Sequence, residues 1–384
     1  MKAKKVDKKL TFKMFSLLAL IIIVLAGCGE KNKPEESTKV DIEKAYGNLL
    51  GLVNKEEEGK GRLKNISPTR QIDLYDNNEK VIAVYLEFKI QDDKREGYAI
   101  IDKESGKIHE FSSEGKLLED LLKKNKLTYE DVKKAKLYYA NPFEIYLKGE
   151  DGKIYNLMPE SGNYQEEVKE EELNETFAKR KVEFGSKPEL IKEKDDPKGK
   201  EEMMMSSYTP CIMSDFSGIK VTDSKGRRVY PHDHCSPTAA TTVMSYFKYI
   251  KKANLSKAYS NKDIFAKFYI AMDTNGGTSG NKDEGTARDK IGPSYSKVGG
   301  DLGAKPKNVI VQKNVSSNNM STALKNGYVL HISVDKLGAV EGGHSVASIS
   351  YYEGYFKVAD GWNSYFREIL YSNMKIKQVV QISY

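Results

Sequence analysis

Hydrophobic and polar positions follow helical and strand spacings in turn along the first part of the chain. From about residue 41 the stretch DIEKAYGNLLGLVN has the spacing of an amphipathic helix. The runs at 81–90 and 97–111 have the composition of strands joined by turns. Further helical and strand patterns follow, so 41–162 is predicted to be a small α+β domain of ordinary size. It contains no grouping of side chains that indicates catalysis.

The pattern of the last part of the chain begins with helices and ends with strands. Helical spacing covers about 235–252, 262–272 and 318–326, and the Gly-rich stretch 275–304 is predicted to be loops. The predicted strands are NVIVQ, YVLHISV, HSVASISYY, YFKVAD, YFREIL and KQVVQIS. Helices followed by antiparallel strands predict an α+β domain over 208–384.

Residues 163–207 separate these two predicted domains and differ from both in composition. They are dense in charges of both signs and poor in apolar residues, which indicates a linker or a solvated segment of helix and loop. The part KEKDDPKGKEE is the best candidate for an exposed connection that proteases can cut. The net charge of +7 comes from basic and acidic residues that are mixed along the chain, so no nucleic-acid partner is predicted.

The N-terminus departs from this soluble pattern. Lysines precede the apolar run MFSLLALIIIVLAGC, which ends at Cys28 and is shorter than the about 20 apolar residues of a membrane-spanning helix. The ending LAGC resembles the lipobox of bacterial lipoproteins. The resemblance implies a signal peptide over 1–28, a lipid such as palmitate on Cys28, and attachment to the outer face of the cell membrane. Residues 29–40 would then form a flexible tether, and an uncleaved N-terminal anchor is the alternative.

Cys235 stands at the predicted start of a helix in the stretch HDHCSPTAATTVMSYF. Pro237 suits the first turn of a helix, where its missing N–H would have no helical partner. A thiol at a helix N-terminus experiences the helix dipole, which favours the reactive thiolate. Cys235 is therefore a candidate nucleophile. The alternatives are a small buried residue, or a metal ligand together with His232 and His234.

A second group of candidate residues lies in the stretch VEGGHSVASISYYEGYFKVADGW. His344 opens one predicted strand and Asp360 ends the next. In a hairpin with a short turn, the start of one strand lies beside the end of the other. We therefore expect the Asp360 carboxylate to hold the His344 ring, so that these residues and Cys235 supply orienting group, base and nucleophile.

These two stretches together resemble the papain-like cysteine peptidases, in particular the branch of streptopain and of the peptidases that process bacteriocin leaders. The segment ALKNGYVLHISV is also similar to the part of those enzymes that leads to the histidine. The resemblance implies a papain-like fold, with Cys235 on the first helix and with His344 and Asp360 on a C-terminal antiparallel sheet. It further implies that the protein hydrolyses peptide bonds in proteins or peptides through an acyl-enzyme. Trp362 matches an aromatic residue that shields the histidine from water.

The resemblance extends in outline to the N-terminal part of the chain. Streptopain-like precursors carry an α+β inhibitory propeptide, and 41–162 is similar to it at the level of the domain only. We therefore expect a propeptide or regulatory domain there, with activation by cleavage within 163–207. No cofactor and no metal is expected.

The chain departs from the family at one position. Papain-like enzymes place a Gln about six residues before the cysteine, whereas this chain has Val229 and no Gln in the preceding twenty positions. We expect His232, His234 or a remote polar side chain to supply the missing oxyanion donor beside the Cys235 backbone N–H. One alternative is a catalytically impaired papain-like lipoprotein with a binding or inhibitory role, and another is a cell-wall peptide amidase or acyl transferase with the same triad. Cys211 is a further metal-ligand candidate, a disulfide partner for Cys235, or simply buried.

Overall fold

The computed structural model describes residues 42–57, 65–91, 94–159, 166–179, 208–276, 285–335 and 343–384. The predicted signal peptide, the tether and the lipidation site Cys28 lie outside the described residues, so they remain predictions. No helix within the described part of the chain is both long enough and apolar enough to span a membrane.

The part of the chain before residue 180 combines short helices with a run of strands. The helices are α1 (Ile42–Glu57), α2 (Leu117–Lys124), α3 (Tyr129–Lys133) and α4 (Glu170–Lys179). The strands are β1 (Ile66–Tyr75), β2 (Val81–Ile90), β3 (Glu96–Asp102), β4 (Ile108–Ser112), β5 (Lys136–Asn141), β6 (Glu144–Lys148), β7 (Ile154–Asn156) and β8 (Glu166–Val168). Strand β8 and helix α4 lie inside the segment 163–207, whose residues 163–165 and 180–207 are outside the described residues.

The part of the chain from residue 208 onward begins with helices and closes with strands, as predicted. Its helices are α5 (Ser214–Ser217), α6 (Cys235–Tyr249), α7 (Asn261–Ala271), α8 (Arg288–Asp301) and α9 (Ser317–Lys325). Its strands are β9 (Val221–Thr222), β10 (Arg228–Val229), β11 (Asn308–Lys313), β12 (Val329–Asp335), β13 (Gly343–Tyr352), β14 (Tyr355–Ala359), β15 (Arg367–Leu370) and β16 (Ile376–Ser383). The mixed α+β class is confirmed.

Helix α8 occupies a stretch that was predicted to be loops, and this prediction was wrong. The stretch contains Gly292, Gly299 and Gly300 with Pro293 among them, all of which have low helix propensity. Close packing explains two of the glycines, because a Cβ on Gly292 would lie 2.5 Å from the Val311 side chain and one on Gly299 would lie 2.7 Å from Pro306. Tertiary packing therefore outweighs local propensity in this helix.

One sheet of fourteen described strands runs through both parts of the chain. Its order is β11-β16-β12-β13-β14-β15-β4-β3-β2-β1-β5-β6-β7-β8. Strands β15 and β4 join the two parts, with Glu368 opposite Phe111 and Ile369 opposite Glu110. The described residues from 42 onward belong to one compact unit, and the segments predicted to be separate domains share a sheet. Sequence patterns show which stretches are strands, but they do not show which edges pair.

Candidate active site

Helix α6 begins at Cys235 and is held against the start of strand β13. The Ser236 hydroxyl lies 2.8 Å from the Ser345 hydroxyl, and both groups are buried. Cys235 and His344 are the residues that immediately precede these two serines in the chain. The structure thus brings the predicted nucleophile and the predicted base to the same end of the sheet, with Cys235 8% exposed and His344 1% exposed.

His344 is oriented by the main chain of Asp360. Strands β13 and β14 form the predicted hairpin, with Ala347 opposite Ala359, so that His344 and Asp360 are neighbours. The His344 Nε2 atom lies 2.6 Å from the Asp360 backbone carbonyl oxygen. A carbonyl oxygen only accepts hydrogen bonds, so Nε2 carries the proton in this arrangement.

The carboxylate of Asp360 has other partners, which corrects the role expected for it. Its Oδ1 atom accepts from the backbone N–H groups of Trp362 and Asn363, each at 2.9 Å. Its Oδ2 atom accepts from Asn363 Nδ2 and from Arg367 Nη1, each at 2.7 Å. Burial raises the pKa of Asp360, but the charge and hydrogen bond of Arg367 and the hydrogen bonds of Asn363 lower it more, so its net pKa lies below the ordinary value. The carboxylate therefore fixes its own turn, and the carbonyl of that turn holds His344.

Trp362 lies against His344, where the resemblance placed it. The two rings stack with centroids 3.9 Å apart and planes inclined by 19°. Segments from before residue 180 cover this stack: the Phe143 ring lies 5.7 Å from the His344 ring, and Trp362 Nε1 donates to the Pro159 carbonyl at 3.2 Å. Lys124 Nζ also donates to the Trp362 carbonyl. The histidine is thus enclosed by aromatic rings, which exclude water from its hydrogen bond.

His234 does not occupy the supporting position that the sequence suggested. Its Nδ1 atom lies 3.0 Å from the Thr238 hydroxyl and its Nε2 atom lies 3.2 Å from the Ser217 hydroxyl. The ring packs edge-on against Phe265. Both nitrogens are used in structural hydrogen bonds, so His234 is a structural residue and not an oxyanion donor.

His232 also has a contact other than the expected one. Its side chain is 53% exposed, and its Nδ1 atom lies 2.7 Å from the Asp233 carboxylate. Nothing in these contacts supports an oxyanion role for His232. Among the described residues there is also no group of three or more His, Cys, Asp or Glu side chains that could hold a metal ion.

We expect His234 to make folding stability fall in acid. Burial lowers the pKa of His234 from 6.5 to about 4, so the unfolded chain binds the proton more readily than the folded one. The stability is therefore present above pH 6.5 and is lost as the pH falls towards about 4, by about 3 kcal/mol over the whole window. Urea unfolding of wild type and His234→Gln at pH 7 and pH 4.5 measures this loss.

The neighbouring His232→Gln variant is the matched control, because its ring is exposed. It should nearly keep the wild-type dependence of unfolding free energy on pH, because the charge of His232 is the smallest of the causes that shift the His234 pKa, whereas His234→Gln should lose the part that His234 contributes. Buried His331, whose pKa burial lowers to about 3, remains in both variants and acts in the same direction. Equal pH dependence in wild type and His234→Gln would contradict the expectation.

Cys211 is a free, buried cysteine, which confirms the simplest of the three interpretations. Neither Cys211 nor Cys235 forms a disulfide. Burial raises the pKa of the Cys211 thiol to about 12, and Asn261 Nδ2 donates to its sulfur at 3.4 Å. The thiol is therefore neutral at physiological pH and chemically inert.

Arg367 is the residue of this region that sequence reasoning missed. It is fully buried in strand β15 and binds the Asp360 carboxylate. The sequence contained one signal for it, an arginine inside the apolar stretch YFREIL. An apolar strand is expected to be buried, and a fully buried arginine is nearly always paired. Asn363, which donates to the same carboxylate, gave no comparable signal because Asn is common in turns.

No protein-family model matches the chain, and a search among curated proteins finds none that matches it. The fold class is established as mixed α+β, and the assignment of a function therefore depends on the geometry of Cys235, His344 and their neighbours.

Proposed function

We propose that the chain is a thiol peptidase with a papain-like catalytic part, in which Cys235 is the nucleophile and His344 the base. The single observation that carries this proposal is the hydrogen bond of 2.6 Å from buried His344 to the Asp360 carbonyl, beside the N-terminus of the helix that begins with Cys235. A cysteine at a helix N-terminus and a histidine of fixed tautomer are the two groups that nucleophilic thiol catalysis needs.

The proposed reaction assigns one role to each side chain. Nε2–H stays on the Asp360 carbonyl, so Nδ1 of His344 takes the proton of the Cys235 thiol as the sulfur attacks the substrate carbonyl. The proton then passes to the leaving amine, and water hydrolyses the thioester that remains on Cys235. The backbone N–H of Cys235 is the donor proposed for the oxyanion. Trp362, stacked on the ring, limits its rotation and its contact with water.

The setting of this reaction follows from the N-terminal sequence. The lipobox-like ending at Cys28 leads us to propose a lipid-anchored protein on the extracytoplasmic face of the membrane. Its partners would be protein or peptide substrates and the membrane surface, and the proposed mechanism uses no cofactor.

The burial of the site favours a second candidate function, that of a catalytically impaired binding or inhibitory lipoprotein. Cys235 and His344 are both buried, and Phe143 and Pro159 cover the aromatic stack beside them. The missing glutamine before Cys235 points in the same direction. The two candidates differ in whether the thiol reacts as an activated nucleophile.

A peptidyl vinyl sulfone separates the two candidates. Incubated with the reduced full-length protein and followed by peptide mass spectrometry, it is expected to label Cys235, because an activated thiolate adds to the vinyl group. Cys211 serves as the internal control and should stay unlabelled, because its pKa of about 12 keeps the thiol protonated. Labelling of neither cysteine would favour the binding protein over the peptidase.

A further inference from the structure

The guanidinium of Arg367 connects the two parts of the chain in the interior of the protein. It donates to the Asp360 carboxylate, the Glu110 carboxylate and the Pro142 carbonyl, each at 2.7 Å. Its Nε–H donates to the Tyr98 hydroxyl at 2.9 Å. Three of these four acceptors thus belong to the segment before residue 180, and the fourth is the residue whose carbonyl holds His344.

The charged groups of this network affect one another strongly because water, which would screen their charges, is excluded. Arg367, Glu110 and Asp360 are all fully buried. Burial raises the pKa of Glu110, and the charge of Arg367 and the hydrogen bonds of Arg367 and Tyr98 only partly oppose that rise. Arg367 thus pairs with both carboxylates at 2.7 Å, while the Pro142 carbonyl and the Tyr98 hydroxyl accept its other hydrogen bonds. Taking away the acceptors from one part of the chain would leave buried N–H donors of a charged group without partners, which is costly.

The network reaches His344 through a short turn. Arg367 and Asn363 hold the Asp360 carboxylate, and Gly361 follows with a left-handed φ of +80°. The Gly361 carbonyl accepts from the Met213 backbone N–H at 2.7 Å. A turn fixed at both its side chain and its main chain keeps the Asp360 carbonyl directed at the His344 ring.

The surrounding interface combines strand pairing, hydrogen bonds and a hydrophobic cluster to which both parts of the chain contribute buried residues. Besides the pairing of β4 with β15, the Ser112 hydroxyl donates to the Phe366 carbonyl and the Tyr355 hydroxyl donates to the Ile108 carbonyl, each at 2.8 Å. Lys357 pairs with Glu114 at 3.0 Å. Such an interface resembles the interior of a domain more than the surface between a removable segment and its partner.

We propose that the segment 65–159 is a permanent part of the candidate site, in which it holds Arg367 so that Arg367 positions His344 through the Asp360 turn. Arg367 is a positioning residue, since it acts on His344 only through Asp360. Cleavage within 180–207 would then leave both fragments in one molecule. The proposal rests on the proposed function only in taking His344 to be the base.

The ring N–H resonance of His344 tests the positioning role. In wild type the buried Nε2 proton should give a slowly exchanging signal in the proton NMR spectrum, assigned by its absence in His344→Ala. Arg367→Lys keeps the charge but cannot reach four acceptors, so the signal should be lost. The matched variant Arg70→Lys, at an arginine that pairs with buried Glu87 at 3.4 Å, should keep it. Absence of the signal from wild type, or its persistence in Arg367→Lys, overturns the positioning role.

Protein cut at one point within 180–207 tests whether the segment 65–159 is a permanent part of the molecule. This test is independent of Arg367→Lys, so it also applies if that variant does not fold. A protease recognition sequence inserted within 180–207 allows the full-length protein to be cut at that point alone. We expect both fragments to elute as one species in gel filtration, with the His344 signal retained, and to separate only in denaturant. Separation in native buffer overturns the proposal. Neither measurement uses the reactivity of Cys235, so a failure of the peptidase proposal is recognised separately, by the vinyl sulfone.

Discussion

Replacing Cys235 by alanine is expected to lower the digestion of a denatured protein substrate by about 10⁴-fold or more, since removal of the nucleophile leaves only binding and oxyanion effects. The substitution removes one sulfur atom at the N-terminus of helix α6 and leaves the Ser236–Ser345 hydrogen bond in place. Alanine is a good helix former, so the variant should fold normally. Release of peptides from the substrate, measured over time with a reducing agent present, gives the ratio of rates.

Cys211→Ala is the matched control for this experiment. It removes the other described thiol, which is buried and held protonated, and it should keep the rate of wild type within a small factor. Equal loss in both variants would indicate damage to the fold and not to catalysis. Identical, negligible digestion by wild type and Cys235→Ala would contradict the peptidase proposal.

Replacing Arg367 by methionine is expected to destabilise the folded protein by about 3 to 5 kcal/mol, which is the usual cost of removing one partner from a buried ion pair. Methionine fills much of the same volume but leaves the Asp360 and Glu110 carboxylates without their cation. Both groups are fully buried, so one must take up a proton or draw in water. The midpoint and slope of urea unfolding, compared with wild type at pH 7, give the loss of free energy.

Arg227→Met shows what an exposed arginine contributes in the same measurement. Arg227 Nε pairs with Asp223 at 2.7 Å, but its side chain is 60% exposed, so its removal should cost less than about 1 kcal/mol. A loss in Arg367→Met as small as the loss in Arg227→Met would mean that the buried network contributes little to stability.

Local patterns predicted the elements around the site within a few residues. Helix α6 begins at Cys235 as expected, and helix α7 begins after Ser260, which caps it together with Asp263 in a capping box. The hairpin of β13 and β14 also followed from alternating residues around a short turn. These predictions hold because each depends on residues that are near one another in the chain.

The same reasoning was wrong where several polar groups compete for one partner. The Asp360 carboxylate was expected to hold His344, but Arg367 and Asn363 bind it, and the backbone carbonyl holds the ring instead. His234 was expected to assist catalysis, but Ser217 and Thr238 use both of its nitrogens. A sequence shows which residues carry hydrogen-bonding groups, but it does not rank the partners that the fold brings near them.

The sequence by itself determined the α+β class, the helix that carries Cys235 at its start, and the hairpin that makes His344 and Asp360 neighbours. Those features depend on the spacing of apolar residues and on short turns, which act within one or two elements. Only the tertiary structure decided that one sheet joins both parts of the chain and that Arg367 links Glu110 to Asp360. Strand-edge pairing and buried charge networks join residues more than two hundred positions apart, so no local pattern encodes them.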